Sequence, residues 1–293
     1  MGLDILKIAR PIAESLPLVF DSPHSGAAYP EDFYYACDQH DLESAEDKFV
    51  DDLFSTAPAH GATLLCALFP RSYIDVNRAA DDIDPGLING TWPGTLHPSA
   101  RSDAGIGLIR RLVKPGAAVY ARKLFPEEIL HRIDAYYHPY HEALRGLIEE
   151  AHFNFGQSWH INCHSMPSSS ARPRQPIGIV GNQGMQVDFV LGDRDGTTCD
   201  LAFTHAVRDC LKSMGYKVAI NDPFKGVELV EQYSAPSRGR HSLQIEVNKA
   251  LYLDERKNTA LSCYNERKAD IEKLITYCAG YVRHELSRQL AAD

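Results

Sequence analysis

Short apolar runs alternate along this chain with stretches of helical periodicity, and that alternation constrains the fold more than any other feature. Leu18-Val19-Phe20, Ala62 to Phe69, Trp159 to Cys163, Ile177 to Val180, Val187 to Leu191, Lys217 to Ile220 and Leu243 to Val247 read as strands. Helical patterns run from Asp41, as N-cap, to Ala57, and from Pro126 to Phe153 with a kink at Pro139. Two more cover Cys199 to Met214, ended by Gly215, and Thr259 to Leu290. Strands alternating with helices predict an α/β sheet covered on both faces, with ligands gathering at the carboxyl ends of the strands. Ala79 to Gly107, Ser165 to Pro176 and Asn221 to Arg240 carry no regular pattern. Loops of that length often form binding walls.

At 293 residues and 44% hydrophobic, the chain is expected to bury one full core as a single domain over residues 1–293. Its net charge of −9 argues against nucleic-acid or anionic-membrane partners, because the long-range field repels polyanions. A few local arginines can still bind a small anion. Seven cysteines form no Cys-x-x-Cys pair, and no basic-then-apolar leader opens the sequence, so a reducing cytoplasm is the expected location. No apolar stretch approaches the ~20 residues that span a bilayer.

Two apolar runs each end on a histidine: Ser22-Pro23-His24-Ser25-Gly26 and Asn162-Cys163-His164-Ser165-Met166. Two strand-end histidines suit a metal site at the mouth of the sheet, although a lone histidine at a strand end is more often a hydrogen-bonded structural residue. A hydrolytic zinc takes about three protein ligands and keeps one position open, so a carboxylate must join them. The helical pattern after the first strand offers Glu43, Glu46, Asp47, Asp51 and Asp52. On a helical wheel Glu46 falls in the middle of the apolar arc of Leu42, Phe49, Val50, Leu53 and Phe54, and Asp47 at its edge. Periodicity therefore favours Glu46 slightly. His138 and His141 stand at i, i+3 spacing but flank Pro139 among aromatic residues, which reads as a packed or surface helix.

In Leu243-Gln244-Ile245-Glu246-Val247-Asn248 the polar residues share one strand face, which either meets solvent or lines a cavity. In a metal cavity, Glu246 could take a proton from water and deliver it to a leaving amine. Asp75 and Asn77 are predicted to share another strand face, with Arg78 next and Arg71 before them. An arginine fork beside an amide matches a carboxylate, while a structural Asp75–Arg78 ion pair is the plain alternative. Arg194, in Gly192-Asp193-Arg194-Asp195-Gly196, reads as a turn residue. A metal beside such a clamp indicates a hydrolase acting on small acidic molecules. Gly-x-Gly-x-x-Gly, Walker-type and Gly-x-Ser-x-Gly motifs are absent.

Six blocks in order resemble the N-formylglutamate amidohydrolase family: Phe20 to Gly26, Glu46 to Asp51, Arg71 to Arg78, Cys163 to Pro167, Leu191 to Arg194 and Gln244 to Asn248. The resemblance implies a three-layer α/β/α sandwich around a mixed, mostly parallel sheet, related to zinc carboxypeptidases and aspartoacylase. It implies one divalent ion, zinc by preference, held by His24, Asp47 and His164, with the aspartate overruling the wheel's Glu46. It implies Asn77 and Arg78 as the clamp for a substrate carboxylate, Arg71 as the group that polarises the scissile carbonyl, and Glu246 as general base. Lys249 stands where the family pattern leads us to expect arginine; it keeps the charge and loses the bidentate fork, which argues against a substrate role there. The implied reaction is cleavage of N-formyl-L-glutamate to formate and L-glutamate, the closing step of one histidine-degradation route. Its rivals are another N-acyl-amino-acid hydrolase of aspartoacylase or carboxypeptidase type, and a non-catalytic amino-acid or metal-binding protein.

Overall fold

Seven strands hydrogen-bond into one central sheet in the computed structural model, which describes residues 4–114, 116–173 and 186–291. In chain order the strands are β1 (Leu6–Ala9), β2 (Leu18–Ser22), β3 (Thr63–Ala67), β4 (Leu112–Lys114), β5 (Ala117–Ala118), β6 (Ser158–Met166), β7 (Phe189–Gly192), β8 (Val218–Ile220), β9 (Arg240–Asn248), β10 (Leu253–Asp254) and β11 (Thr259–Ala260). The sheet order is β1-β3-β2-β6-β9-β7-β8, with β4-β5 and β10-β11 as separate two-stranded ribbons. The β2-β6, β6-β9 and β7-β8 pairs are parallel and β7-β9 is antiparallel, giving the mixed, mostly parallel sheet expected of the sequence. β1 escaped the sequence reading because Leu-Lys-Ile-Ala is short and half exposed, without the alternation that marks a buried face. The expected strand Ile177 to Val180 lies outside the described residues.

The chain divides into two compact units. The first comprises Met1–Lys7, Pro23–Lys48 and Cys66–Arg145, and the second Ile8–Ser22, Phe49–Leu65 and Gly146–Asp293. The helices are α1 (Gln39–Ser44), α2 (Val50–Leu53), α3 (Ala100–Asp103), α4 (Pro126–Arg132), α5 (His138–Phe155), α6 (Leu201–Ser213), α7 (Glu228–Gln232) and α8 (Tyr264–Leu290). In the second unit, helices cover both faces of β2. Phe20 packs on Phe54 just after α2, with ring centroids 5.8 Å apart, while the neighbouring Val19 shares a groove with Leu147 and Ala151 of α5. Adjacent residues of a strand point to opposite faces, so these two contacts define a helix–sheet–helix arrangement.

Three expectations are corrected. The single helix from Asp41 to Ala57 is two short helices, with Asp38 rather than Asp41 capping the first through His40 N at 2.8 Å. Between them Phe49 takes a left-handed φ of 66°. The break is tertiary in origin: Asp47 N donates to His24 O at 3.0 Å and Ser25 Oγ to Asp47 O at 2.9 Å, contacts that an unbroken helix could not make. The run from Pro126 to Phe153 is not one α-helix throughout: a π-helical turn, Ile133–Tyr137, separates α4 from α5 just ahead of Pro139. Pro139 has no N–H for the carbonyl four residues back, and the wider turn absorbs that loss. Third, Arg71 to Arg78 is not a strand but a run of turns, because the Asp75 side chain accepts from Asn77 N at 3.0 Å and bends the backbone.

The long stretches without pattern contain short elements, α3 in the first and α7 in the last. Among the described residues no helix is long and apolar enough to cross a membrane, and all seven cysteines are free thiols.

Candidate active site

Within the first unit the site is built around one buried carboxylate. His24 follows β2 directly, with Pro23 ending the strand. Its Nε2 lies 2.7 Å from Asp75 Oδ1 and its Nδ1 3.3 Å from Asp47 Oδ2. Gly26 permits this turn, because a Cβ there would meet the Leu68 carbonyl carbon at 2.3 Å and Phe69 O at 2.4 Å. Asp75 is fully buried; Oδ1 accepts from His24 and from Asn77 N, and Oδ2 accepts from Arg71 Nη2 at 2.8 Å. Burial alone would raise the Asp75 pKa, but Arg71, His24 and Arg78 together outweigh it and hold the carboxyl well below its usual range. Asp75 is therefore an acceptor for His24 Nε2–H, and Nδ1 is the ring nitrogen on the Asp47 side.

Asn77 and Arg78 are both buried in this unit. Arg78 donates from Nη1 to Asn77 O at 2.6 Å, and its Nη2 stands 4.0 Å from Asp75 Oδ2. The tight partner of Asp75 is thus Arg71 rather than Arg78. Arg71 also lies 3.7 Å from Asp47 Oδ1. Glu46 is fully buried and accepts from Tyr29 Oη at 2.5 Å. His141 packs in the helix as expected, with Nε2 2.9 Å from Val76 O and its ring stacked on Tyr137.

In the second unit, β2, β6 and β9 place a column of polar side chains in a buried sheet. All nine residues of β6 are buried, and His160, Asn162 and His164 alternate onto one face. Their partners on β9 are Ser242, Gln244 and Glu246 in direct parallel register. His160 bridges Ser242 Oγ at 2.6 Å and Asp21 Oδ1 at 2.9 Å. Asn162 donates from Nδ2 to Asp21 Oδ1 at 2.8 Å, so its own Oδ1 is the acceptor for His164 Nε2 at 2.7 Å. Like His24, His164 commits Nε2–H to a side-chain oxygen and presents Nδ1. Gln244 Nε2 donates to Glu246 Oε1 at 2.9 Å. Lys249, at the end of β9, is buried. Arg194 has a φ of 51° and pairs with Glu231 at 2.8 Å, which accords with its reading as a turn residue.

His24, Asp47 and His164 each offer one ligand atom, and these atoms lie within 4.8 Å of one another. Two histidines and one carboxylate, all buried, could hold a metal ion and leave a coordination position open. Glu46, which the helical wheel favoured, is not in this group. Sequence reasoning missed Asn162 as the group that orients His164, though its i, i+2 spacing on one strand was a usable signal. It also missed Arg110, buried in the first unit with its Nη2 3.9 Å from Asp75 Oδ2, for which no sequence pattern gives a sign.

Residues 16–253 match the model of the N-formylglutamate amidohydrolase family. The N-formylglutamate deformylase of Pseudomonas putida is 27% identical over 248 residues, covering 82% of this chain and 83% of that protein. The crystal structure of N-formylglutamate amidohydrolase from Ralstonia eutropha JMP134 superposes with a TM-score of 0.91 at 42% identity, over 97% of this chain and all of that one. A protein of Agrobacterium tumefaciens shares the fold with a TM-score of 0.58 at 15% identity, over 97% and 96% of the two chains. The chain belongs to the N-formylglutamate amidohydrolase family.

Proposed function

We propose that this chain hydrolyses N-formyl-L-glutamate to formate and L-glutamate, using one divalent ion, zinc by preference, held by His24, Asp47 and His164. The observation that carries the reading is the donor set: three ligand atoms within 4.8 Å, in a chain whose relatives are named for this reaction. The donors fit such an ion, since both histidines present Nδ1 while a buried oxygen holds the opposite N–H. When bound, the ion supplies Lewis acidity toward an amide carbonyl and brings the pKa of water toward ~7.

The chain's own groups supply the rest. Glu246, held by Gln244 and in register with His164, takes the proton of the attacking water and returns it to the departing nitrogen. Arg71, anchored on Asp75, contributes positive charge toward the developing oxyanion. Asn77 and Arg78 hold a substrate carboxylate. Seven free thiols support a reducing, cytoplasmic location.

The test is formate release from N-formyl-L-glutamate by metal-loaded and chelator-stripped protein. Loaded protein is expected to turn over and stripped protein to regain activity when zinc is restored. No formate from loaded protein would overturn the reaction, and undiminished turnover by metal-free protein would overturn the role of the ion.

A further inference from the structure

Asp75 attracts three arginines but hydrogen-bonds only one of them. Its Oδ1 is taken by His24 and Asn77 N and its Oδ2 by Arg71, whereas Arg78 and Arg110 stand 4.0 and 3.9 Å from Oδ2. Those distances favour attraction but exceed a hydrogen bond. Arg78 spends donors on Asn77 O and, at 3.4 Å, on Ile106 O. Arg110 differs: its side chain is only 10% exposed, and its buried Nε has no hydrogen-bond partner among the described residues.

The other carboxylates nearby are engaged. Asp82 accepts from Ser99 N at 2.7 Å and from the Ser99 hydroxyl at 2.9 Å, and Asp47 faces His24. Burial, reinforced by the neighbouring Arg71 and Arg78, pulls the Arg110 guanidinium down to about 9, which still leaves it cationic at neutral pH. A guanidinium that stays charged carries five donors, so leaving a buried one without an acceptor is costly. A ligand carboxylate would remove that cost, because its two oxygens match the guanidinium fork.

We infer that Arg110 is a second anion-binding guanidinium beside Arg78, which receives one carboxylate of a dicarboxylic substrate and so sets the requirement for a second negative charge. The inference rests on the proposed deformylase reading for its substrate class. Arg78 and Arg110 flank the same Asp75 oxygen, so two forks stand together where a monocarboxylate would need only one. Asp75 then has two tasks, orienting His24 and holding both forks by charge without consuming their donors.

The experiment compares kcat/KM on N-formyl-L-glutamate and N-formyl-L-glutamine for the metal-loaded wild type, Arg110→Met and Arg110→Lys. The wild type should prefer the dicarboxylate by roughly 10- to 100-fold, the range of a lost charge-assisted hydrogen bond. Arg110→Met should lose most of that preference by falling on the glutamate substrate far more than on the glutamine one, and Arg110→Lys should recover part of it. Equal cleavage of both substrates by the wild type, or a parallel fall on both in the variants, would overturn the inference. Calorimetric binding of glutarate against butyrate separates this inference from the reaction itself. Glutarate preferred by the wild type and not by Arg110→Met upholds the second fork even if no formate is ever released. Glutarate bound equally by both proteins removes it, whatever the turnover.

Discussion

His164 and Glu246 are direct partners on the adjacent parallel strands β6 and β9, and their side chains emerge on the same face of the sheet. Each is steadied by the polar residue two positions earlier on its own strand, His164 by Asn162 and Glu246 by Gln244. The sheet thus sets the proposed metal ligand and the proposed proton-transferring group side by side without relying on a loop. Glu246→Gln keeps shape and removes basicity, so it should lower kcat by at least ~10²-fold while KM and metal content change little. Steady-state kinetics with metal analysis checks this, and near-normal kcat would assign the base elsewhere.

Metal content should follow the histidines. His24→Ala and His164→Ala are expected to lose the ion, and Asp75→Asn, which removes the anion behind His24, should weaken metal affinity by about 10- to 100-fold. Elemental analysis and chelator competition read these outcomes. Full occupancy in both alanine variants would sink the ligand assignment.

Glu46 and Asp47 should separate cleanly despite adjacency. Glu46 is tied to Tyr29, whereas Asp47 faces His24, so Asp47→Asn should lose metal and Glu46→Gln should keep it. The reverse pattern would restore the wheel's preference.

Arg78→Lys keeps the charge and loses the fork. We expect kcat/KM for N-formyl-L-glutamate to fall by about 1–3 kcal/mol in transition-state binding. An unchanged kcat/KM would remove Arg78 from the clamp.

Acid stability should depend on Asp270 of α8, which accepts from Tyr216 Oη at 2.6 Å and from Lys273 at 2.9 Å. Burial pushes its carboxyl up, but these donors and Arg267 push it further down, below the usual range. A group depressed in the folded state stabilises above its unfolded pKa of ~4, and that contribution disappears as pH falls through the folded value. Asp270→Asn should therefore destabilise the fold modestly near neutral pH, since solvent screens this partly exposed group, and progressively less in acid. Urea midpoints across pH measure this; a constant difference at all pH values would contradict it.

The sheet and half of the site are legible in the sequence because they depend on local periodicity. A period of two puts Gln244, Glu246 and Asn248 on one face, and Pro23 marks where β2 has to stop and present His24. Asn162 lies two residues before His164 on the same strand, so its position is legible even though its task is not. The choice between Glu46 and Asp47 is not legible, because the wheel assumes a helix that His24 O and Ser25 Oγ interrupt through contacts with Asp47. Nor is the role of Asp75, whose partners His24, Arg71 and Asn77 N converge only once the turns after β3 have formed. Arg110 is the least accessible of all. Whether a buried guanidinium finds an acceptor depends on distances to residues far away in sequence, and only the tertiary structure sets those distances.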